Sequence, residues 1–169
     1  MIVAITGTPG TGKKSAGRVL SSLGKSVMSV EEIAREHGLL EGEECEIDTE
    51  RLRHVTSDLK GEMYITGHLA HYTAWSVGFV LRCQPSVLYA RLRERGWSEE
   101  KILENVRAEV LDVILAETVE LGKHVFEIDT THATPEKVAD AILNEHSDMR
   151  KRPGSISWFS EVEHWFSTG

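Results

Sequence analysis

"GTPGTGKKS", residues 7–15, follows directly on the apolar run "IVAIT" of residues 2–6, and that order decides the fold. A short, continuously apolar run suits a strand covered by helices on both faces. Gly7, Gly10 and Gly12 let the backbone turn tightly and point N–H groups at phosphate oxygens, and a helix starting at Lys13 adds the field of its positive end. With Thr8, Pro9 and Thr11 between the glycines, residues 7–13 have the GxxxxGK spacing of a phosphate-binding loop, in which Lys13 reaches the β- and γ-phosphates. The pattern then asks for a hydroxyl, a ligand of the magnesium ion that accompanies ATP. Lys14 stands there instead. It offers no oxygen to a cation, and its charge repels one; the hydroxyl of Ser15, one residue further along a helix, points about 100° away. Three readings stay open. Lys14 disturbs metal placement, or swings to solvent while water fills the position, or supplies part of the cation's charge itself.

Outward from this loop, Ala16, Val19, Leu20 and Leu23 share one helical face, and Gly24 is placed to end that helix. "SVMSV" (26–30) predicts a second strand and "EEIAREHG" (31–38) a short helix. Residues 39–60 are rich in charge and poor in core residues, which predicts a mobile flap. "EMYITG" (62–67) and "SVGFVLRC" (76–83) read as strands, and Pro85 opens the helix "PSVLYARLRERG". Residues 98–122 read as one long amphipathic helix, with Ser98 as N-cap and Leu103, Val106, Val110, Val113 and Ile114 as its apolar stripe. "HVFEID" (124–129) is a last strand, and "TPEKVADAILNEH" (134–146) a helix with Thr134 as N-cap. Five strands alternating with helices predict an α/β fold of three layers, a parallel sheet covered on both sides.

The chain has 169 residues, enough for one well-buried domain. Its 19 basic and 27 acidic residues give a formal charge of −8, which argues against a surface built to coat nucleic acid. Cys45 and Cys83 form no CxxC pair, so neither a disulfide framework nor a zinc site is expected. No secretory n-region and no run of ~18 apolar residues is present, so no membrane partner is expected and the protein reads as cytoplasmic. The composition shifts at "DMRKRPGSIS" (148–157), and beyond it Trp158, Phe159, Trp165 and Phe166 form an aromatic tail that packs on its own domain or on a partner.

With "GTPGTGK", "GHLAHY" (67–72), "RCQPSVLYARLRERGWSEEKILENVRAEVLDVI" (82–114) and "EIDTT" (127–131), the chain resembles the adenylate kinase isoenzyme 6 family in its archaeal form. The resemblance implies a P-loop nucleoside monophosphate kinase fold with strand order 2-3-1-4-5, spanning residues 1–147. It also implies a monophosphate-binding flap near 30–60, a short lid near 95–105 and a tail from 148 to 169. It implies transfer of a phosphoryl group from ATP to AMP, ATP hydrolysis, Mg2+ with the nucleotide, and a role in maturing the small ribosomal subunit. The implied partners are a ribosomal protein of the subunit's platform and, through the pre-ribosome, RNA; the sequence leaves the oligomeric state open, with a monomer favoured. The acidic stretch "EGEECEID" (41–48) is one contact for such a basic partner.

Carried over residue by residue, the phosphate cradle is Gly7 to Lys13, continued by Lys14 and Ser15. Arg91 and Arg95 match an arginine pair that clasps adenine and the transferring phosphoryl group. Arg35 falls where an arginine for the acceptor phosphate is expected, though it also reads as a surface partner of Glu31 or Glu32. His68 matches the family's site histidine, with His71 close enough to take its place, and Thr130, Thr131, His132 and Ala133 lie where the base is lined. A second departure sits at Thr66, where the family has an acidic residue that helps hold magnesium through water. Two further functions therefore stand beside the kinase: a nucleotide-gated assembly factor with weakened catalysis, and a kinase for CMP or UMP.

Overall fold

The structure, a computed structural model, describes residues 1–41 and 46–167. Cys45 and the middle of the acidic stretch 41–48 lie outside the described residues. Five parallel strands, β1 (Ile2–Thr6), β2 (Val27–Ser29), β3 (Met63–Thr66), β4 (Val77–Arg82) and β5 (Val125–Asp129), form one sheet in the order β2-β3-β1-β4-β5. This is the order that the resemblance implies. β1 lies at the centre and is buried along its whole length. Its alternate residues serve two cores: Val3 and Ile5 pack with Leu20, Leu81, Ile128 and Ile142, while Ile2 and Ala4 pack with Ile33, Leu52 and Ile65. Each fully buried Leu or Ile in these layers contributes roughly 1.5–3 kcal/mol, so the sheet holds the phosphate loop on a rigid base.

Helix α1 (Lys13–Ser22) follows the loop, and α2 (Val30–Glu36) follows β2. The predicted second strand gives way at Ser29, because Ser29 and Glu32 form a reciprocal capping box that starts α2 at Val30. The described residues of the stretch read as a mobile flap carry regular structure. Leu40–Glu41 and Glu46–Ile47 pair as a short antiparallel hairpin, and α3 (Thr49–Ser57) buries Leu52 and Thr56. The Thr56 hydroxyl receives the Ala74 N–H at 2.9 Å, which ties α3 to the turn after β3. Leu52, Val55 and Leu59 recur at helical spacing on that core, a signal diluted by the charged residues between them.

Helix α4 (Pro85–Glu94) leads into the turn at Gly96, and the predicted helix over 98–122 is two helices, α5 (Glu99–Val110) and α6 (Val113–Leu121). Asp112 breaks it with φ of +56°, a left-handed conformation that costs a non-glycine residue about 1–3 kcal/mol. A tertiary contact holds it there: the buried guanidinium of Arg82 donates to the Asp112 carboxylate and to the Glu109 carbonyl, the latter at 3.2 Å. The apolar stripe runs through the break without interruption, so periodicity alone gives no sign of it. Helix α7 (Pro135–Leu143) covers β5's side of the sheet against α1, and α8 (Val162–Ser167) lies on α5. Trp165 is buried against α4 and α5, its carbonyl accepts from Arg107 Nε at 2.9 Å, and Arg107 also sits over the Phe166 ring. Phe159, by contrast, is 69% exposed. Among the described residues no helix is long and apolar enough to cross a membrane.

Candidate functional site

The site lies at the carboxyl ends of β1, β4 and β5, where an open α/β sheet leaves a crevice. Gly7 has φ of +137°, and a Cβ there would sit 2.4 Å from the Leu81 carbonyl oxygen. Gly10, with φ of +96°, lies against Leu88 and Leu92 of α4, which leave no room for a side chain. Both glycines are required by geometry. The loop then delivers the chain into α1 through Gly12, with no side-chain cap on the first turn and no acidic residue in it. Such an uncapped N-terminus presents free N–H groups and positive potential to an anion.

In front of it is a cavity of about 470 Å3, lined on one side by Gly10, Thr11, Gly12 and Ser15 and on the other by Arg91, Arg95, Thr130, Ala133 and Val138. That volume suits a nucleotide-sized ligand. Arg91 closes the cavity's floor: its guanidinium donates to the carbonyls of Thr130 (2.9 Å), Thr131 (3.1 Å) and Gly10 (3.4 Å), tying the loop after β5 to the phosphate loop. Arg95, one turn on, is exposed at the end of α4, and its charge is felt at Lys13.

Lys13 donates its ammonium back to the Gly7 and Thr8 carbonyls at 2.6 and 2.9 Å. Burial pulls it down to about 7, with Glu109 and Glu31 opposing that shift and Arg95 adding to it. His68 lies close enough to feel Lys13; burial, and then that charge, hold the imidazole below its ordinary range. His71 has a different position from His68. Fully buried, it sits between Thr6 Oγ1 at 2.9 Å and the Glu117 carboxylate at 3.0 Å, joining β1 to α6. Cys83 is buried, and its thiol is pushed up to about 11 by desolvation, which makes it a poor nucleophile.

Not every residue singled out from the sequence meets the cavity. Thr131 directs its hydroxyl to Asp129 at 2.5 Å and accepts the Gln84 N–H at 2.9 Å, so its polar atoms are engaged within the loop. His132 is exposed and outside the cavity wall, leaving Ala133 as the one residue of that trio on it. Thr130 is buried and donates to the Thr11 carbonyl at 2.7 Å, a direct strut between the loop after β5 and the glycine-rich loop. Arg35 is exposed on α2, its charge reaching Glu32 rather than the cavity. Pro135 and Val138 on the wall had no sequence signal beyond those of an ordinary helix start. Glu109 was legible only as a position in the family pattern; folding places it against Thr8 of the loop, whose hydroxyl donates to Oε2 at 2.5 Å.

A protein-held magnesium ion finds few donors here. Lys14 is exposed, and among the described residues its ammonium has no hydrogen bond or ion pair; its charge reaches Glu32. Thr66 is 7% exposed and packs its methyl toward Gly17 of α1. No group of three His, Cys, Asp or Glu side chains able to hold a metal occurs among the described residues. The residues present do not fit the metal contacts that the fold family uses.

Residues 3–112 match the model of a family described as "AAA domain". Among relatives, the chain is 46% identical to a "Putative adenylate kinase" of Archaeoglobus fulgidus, covering 96% of this chain and 94% of that one. The protein of the same description from Pyrococcus furiosus is 41% identical over 96% and 94% of the two chains, and that from Methanocaldococcus jannaschii 34% identical over 94% and 93%. Among solved structures, a shikimate kinase from Acinetobacter baumannii in complex with shikimate superposes with a TM-score of 0.58 at 22% identity, covering 84% of this chain and 90% of that one. A deoxyadenosine kinase from M. mycoides with bound dATP superposes with a TM-score of 0.55 at 16% identity, over 85% and 98%. At such identities the superpositions speak for the fold alone.

Proposed function

The chain belongs to the family of these archaeal adenylate kinases, and from that membership we propose that it transfers the γ-phosphoryl group of ATP to AMP, yielding two ADP. The observation that carries this reading is the uncapped N-terminus of α1 facing a 470 Å3 cavity whose far wall ends in Arg91 and Arg95. The triphosphate lies along the loop's N–H groups with Lys13 on its β- and γ-phosphates, and the base fills the space beside Ala133 and Val138. An oxygen of the AMP phosphate attacks the γ-phosphorus in line, and the β–γ bridging oxygen leaves with ADP. Such a transfer needs little covalent help and much charge neutralisation and positioning. Lys13 and Arg95 supply charge, Arg91 holds the two walls in register, and His68 borders the transferring group. Arg35, exposed on α2, is the cation assigned to the acceptor phosphate.

Because the residues present do not fit the metal, a magnesium ion accompanying ATP would find few ligands from this chain, and Lys14 would carry part of the positive charge. Restoring both contacts, Lys14→Thr with Thr66→Asp, is expected to raise turnover on the order of 10²–10³-fold. Phosphorus NMR of ATP plus AMP, with and without magnesium, reads this directly for the parent and the double variant. Equal rates would show that the altered contacts do not limit the reaction. A parent that binds ATP yet forms no ADP would favour a second reading, supported by the same two residues. In it, nucleotide binding gates attachment to a platform protein of the small ribosomal subunit and its RNA, with catalysis weak. Formation of CDP or UDP in place of ADP would move the acceptor to CMP or UMP.

The depressed Lys13 adds a pH dependence. In the free protein the ammonium loses its proton near pH 7, whereas bound phosphates favour the charged form and raise that value. ATP affinity is therefore full on the acid side of about 7 and falls as pH rises, by up to about tenfold per unit. Calorimetry between pH 6 and 9 checks this, a flat profile meaning that Lys13 keeps its charge throughout.

A further inference from the structure

Among the described residues, Glu109 is the one buried acid that the phosphate loop, β4, α5 and the C-terminal segment share. Its side chain is 3% exposed. Oε1 accepts from Arg82 Nε at 2.8 Å, from the Cys83 N–H at 3.1 Å and from the Trp158 indole at 3.3 Å. Oε2 is turned the other way, onto the Thr8 hydroxyl at 2.5 Å. Pairing with Arg82 uses only one of these oxygens; the other is aimed at the loop.

Thr8 in turn organises the loop. Its carbonyl accepts the Lys13 ammonium at 2.9 Å, the Thr11 hydroxyl at 2.9 Å and the Thr11 N–H at 3.2 Å. A side chain anchored at Thr8 thus sets where Lys13 starts from and how the N–H groups of the next turn are aimed. We propose that Glu109 is a positioning residue of the phosphate site: from α5 it fixes Thr8 and sets a negative charge beside Lys13, and so governs the loop's grip on the triphosphate. This rests on the reading of the loop as a triphosphate site.

Glu109 is itself placed by contacts remote from the ligand. Arg82 is fully buried and pairs with Glu109, Asp112 and Glu127; burial opposes its charge, and the carboxylates more than offset that, keeping it protonated. The Glu127 carboxylate accepts the Ser155 and Ile156 N–H groups at 3.0 and 3.3 Å, and its backbone pairs antiparallel with that of Lys151, so the C-terminal segment is stitched onto the same cluster. The line from tail to loop is continuous: Trp158 to Glu109 to Thr8 to Lys13. The charges that face Lys13 are Glu109 from α5, Arg95 from α4 and Glu31 from α2, and the imidazoles of His68 and His71 lie near enough to feel it.

The test is ATP binding to the full chain by calorimetry from pH 6 to 9 for the parent, Glu109→Gln, Thr8→Val and the pair combined. Gln keeps the shape and still accepts from Arg82, but removes the charge. Glu109→Gln is expected to bind ATP about tenfold more weakly at pH 8, with its fall-off beginning at lower pH, because Lys13 gives up its proton sooner. Thr8→Val keeps the charge and loses the bond, so affinity drops about tenfold without moving the fall-off. The double variant is expected to lose less than the product of the two, the mark of a shared contact. Parent-like affinity and pH profile in Glu109→Gln overturn the proposal, and so do losses that multiply in full. If Glu109→Gln does not fold, Thr8→Val still decides, since it leaves the Arg82 cluster untouched and parent-like affinity overturns the proposal. A parent that binds no ATP would sink the triphosphate reading itself, and one that binds ATP but makes no ADP would sink only the kinase.

Discussion

Lys13→Met is expected to remove ATP turnover by a factor on the order of 10³ or more while leaving the fold as stable as the parent's, or more so. The loss follows because the proposed reading puts the Lys13 charge on the β- and γ-phosphates, and a single preorganised charge on a transferring group is worth on the order of 10²–10³ in rate before its binding contribution is added. The stability follows from burial. In the folded protein Lys13 titrates near 7 against an ordinary value of 10.5, so between those values the unfolded chain holds a proton that the folded chain has released. Parent stability therefore rises with pH across that window. Methionine of similar length removes the buried ammonium and with it that slope. Two hydrogen bonds to the Gly7 and Thr8 carbonyls are lost as well, and the Thr8 carbonyl keeps its bonds from the Thr11 N–H and hydroxyl. Urea denaturation at pH 7 and pH 9, beside phosphorus NMR of the reaction, separates the two effects. A methionine variant that still turns over would remove Lys13 from the chemistry.

Arg82→Met carries the largest expected cost in stability. It leaves Glu109 and Glu127 buried, and Asp112 half-buried, without the cation that all three share. Removing one partner of a buried ion pair costs about 3–5 kcal/mol, against a typical domain stability of about 5–15 kcal/mol. The left-handed Asp112 also loses its anchor, so the break between α5 and α6 relaxes toward a continuous helix that no longer aims Glu109 at Thr8. Burial already holds the Glu127 carboxyl above its ordinary range, with Arg82 pulling it back; without Arg82 that value rises further. A carboxyl whose folded value exceeds its unfolded one contributes stability at low pH that is lost as pH rises, so the variant's deficit shrinks from pH 7 toward pH 5. Denaturation midpoints at the two pH values check this. A deficit that is small, or equal at both, would show that the carboxylates find water or each other without Arg82.

The reading of residues 7–15 as a phosphate site rests on local signals. The glycines at 7, 10 and 12, the lysine at 13 and the apolar strand before them act on their immediate neighbours, and helix starts such as Ser98 and Thr134 are written in single residues whose hydroxyls receive the N–H three positions on. The strand order followed from resemblance rather than from any local rule. Lys14 and Thr66 were visible as departures for the same reason, since each changes the chemistry of one position.

What stayed hidden depends on residues far apart in the chain. The break at Asp112 is set by Arg82, thirty positions earlier; the partner of Thr8 is Glu109, one hundred and one positions away; and Trp158 of the tail connects to the loop through that carboxylate. The cavity wall shows the same division, for Thr131 and His132 are adjacent to Ala133 in sequence yet only Ala133 reaches the cavity. By itself the sequence determined the loop, the alternation of strands and helices, and the cations available to a phosphate. The tertiary structure alone decided which buried charges meet, because a buried ion pair is selected by the packing that removes it from water, and no local pattern records its partner.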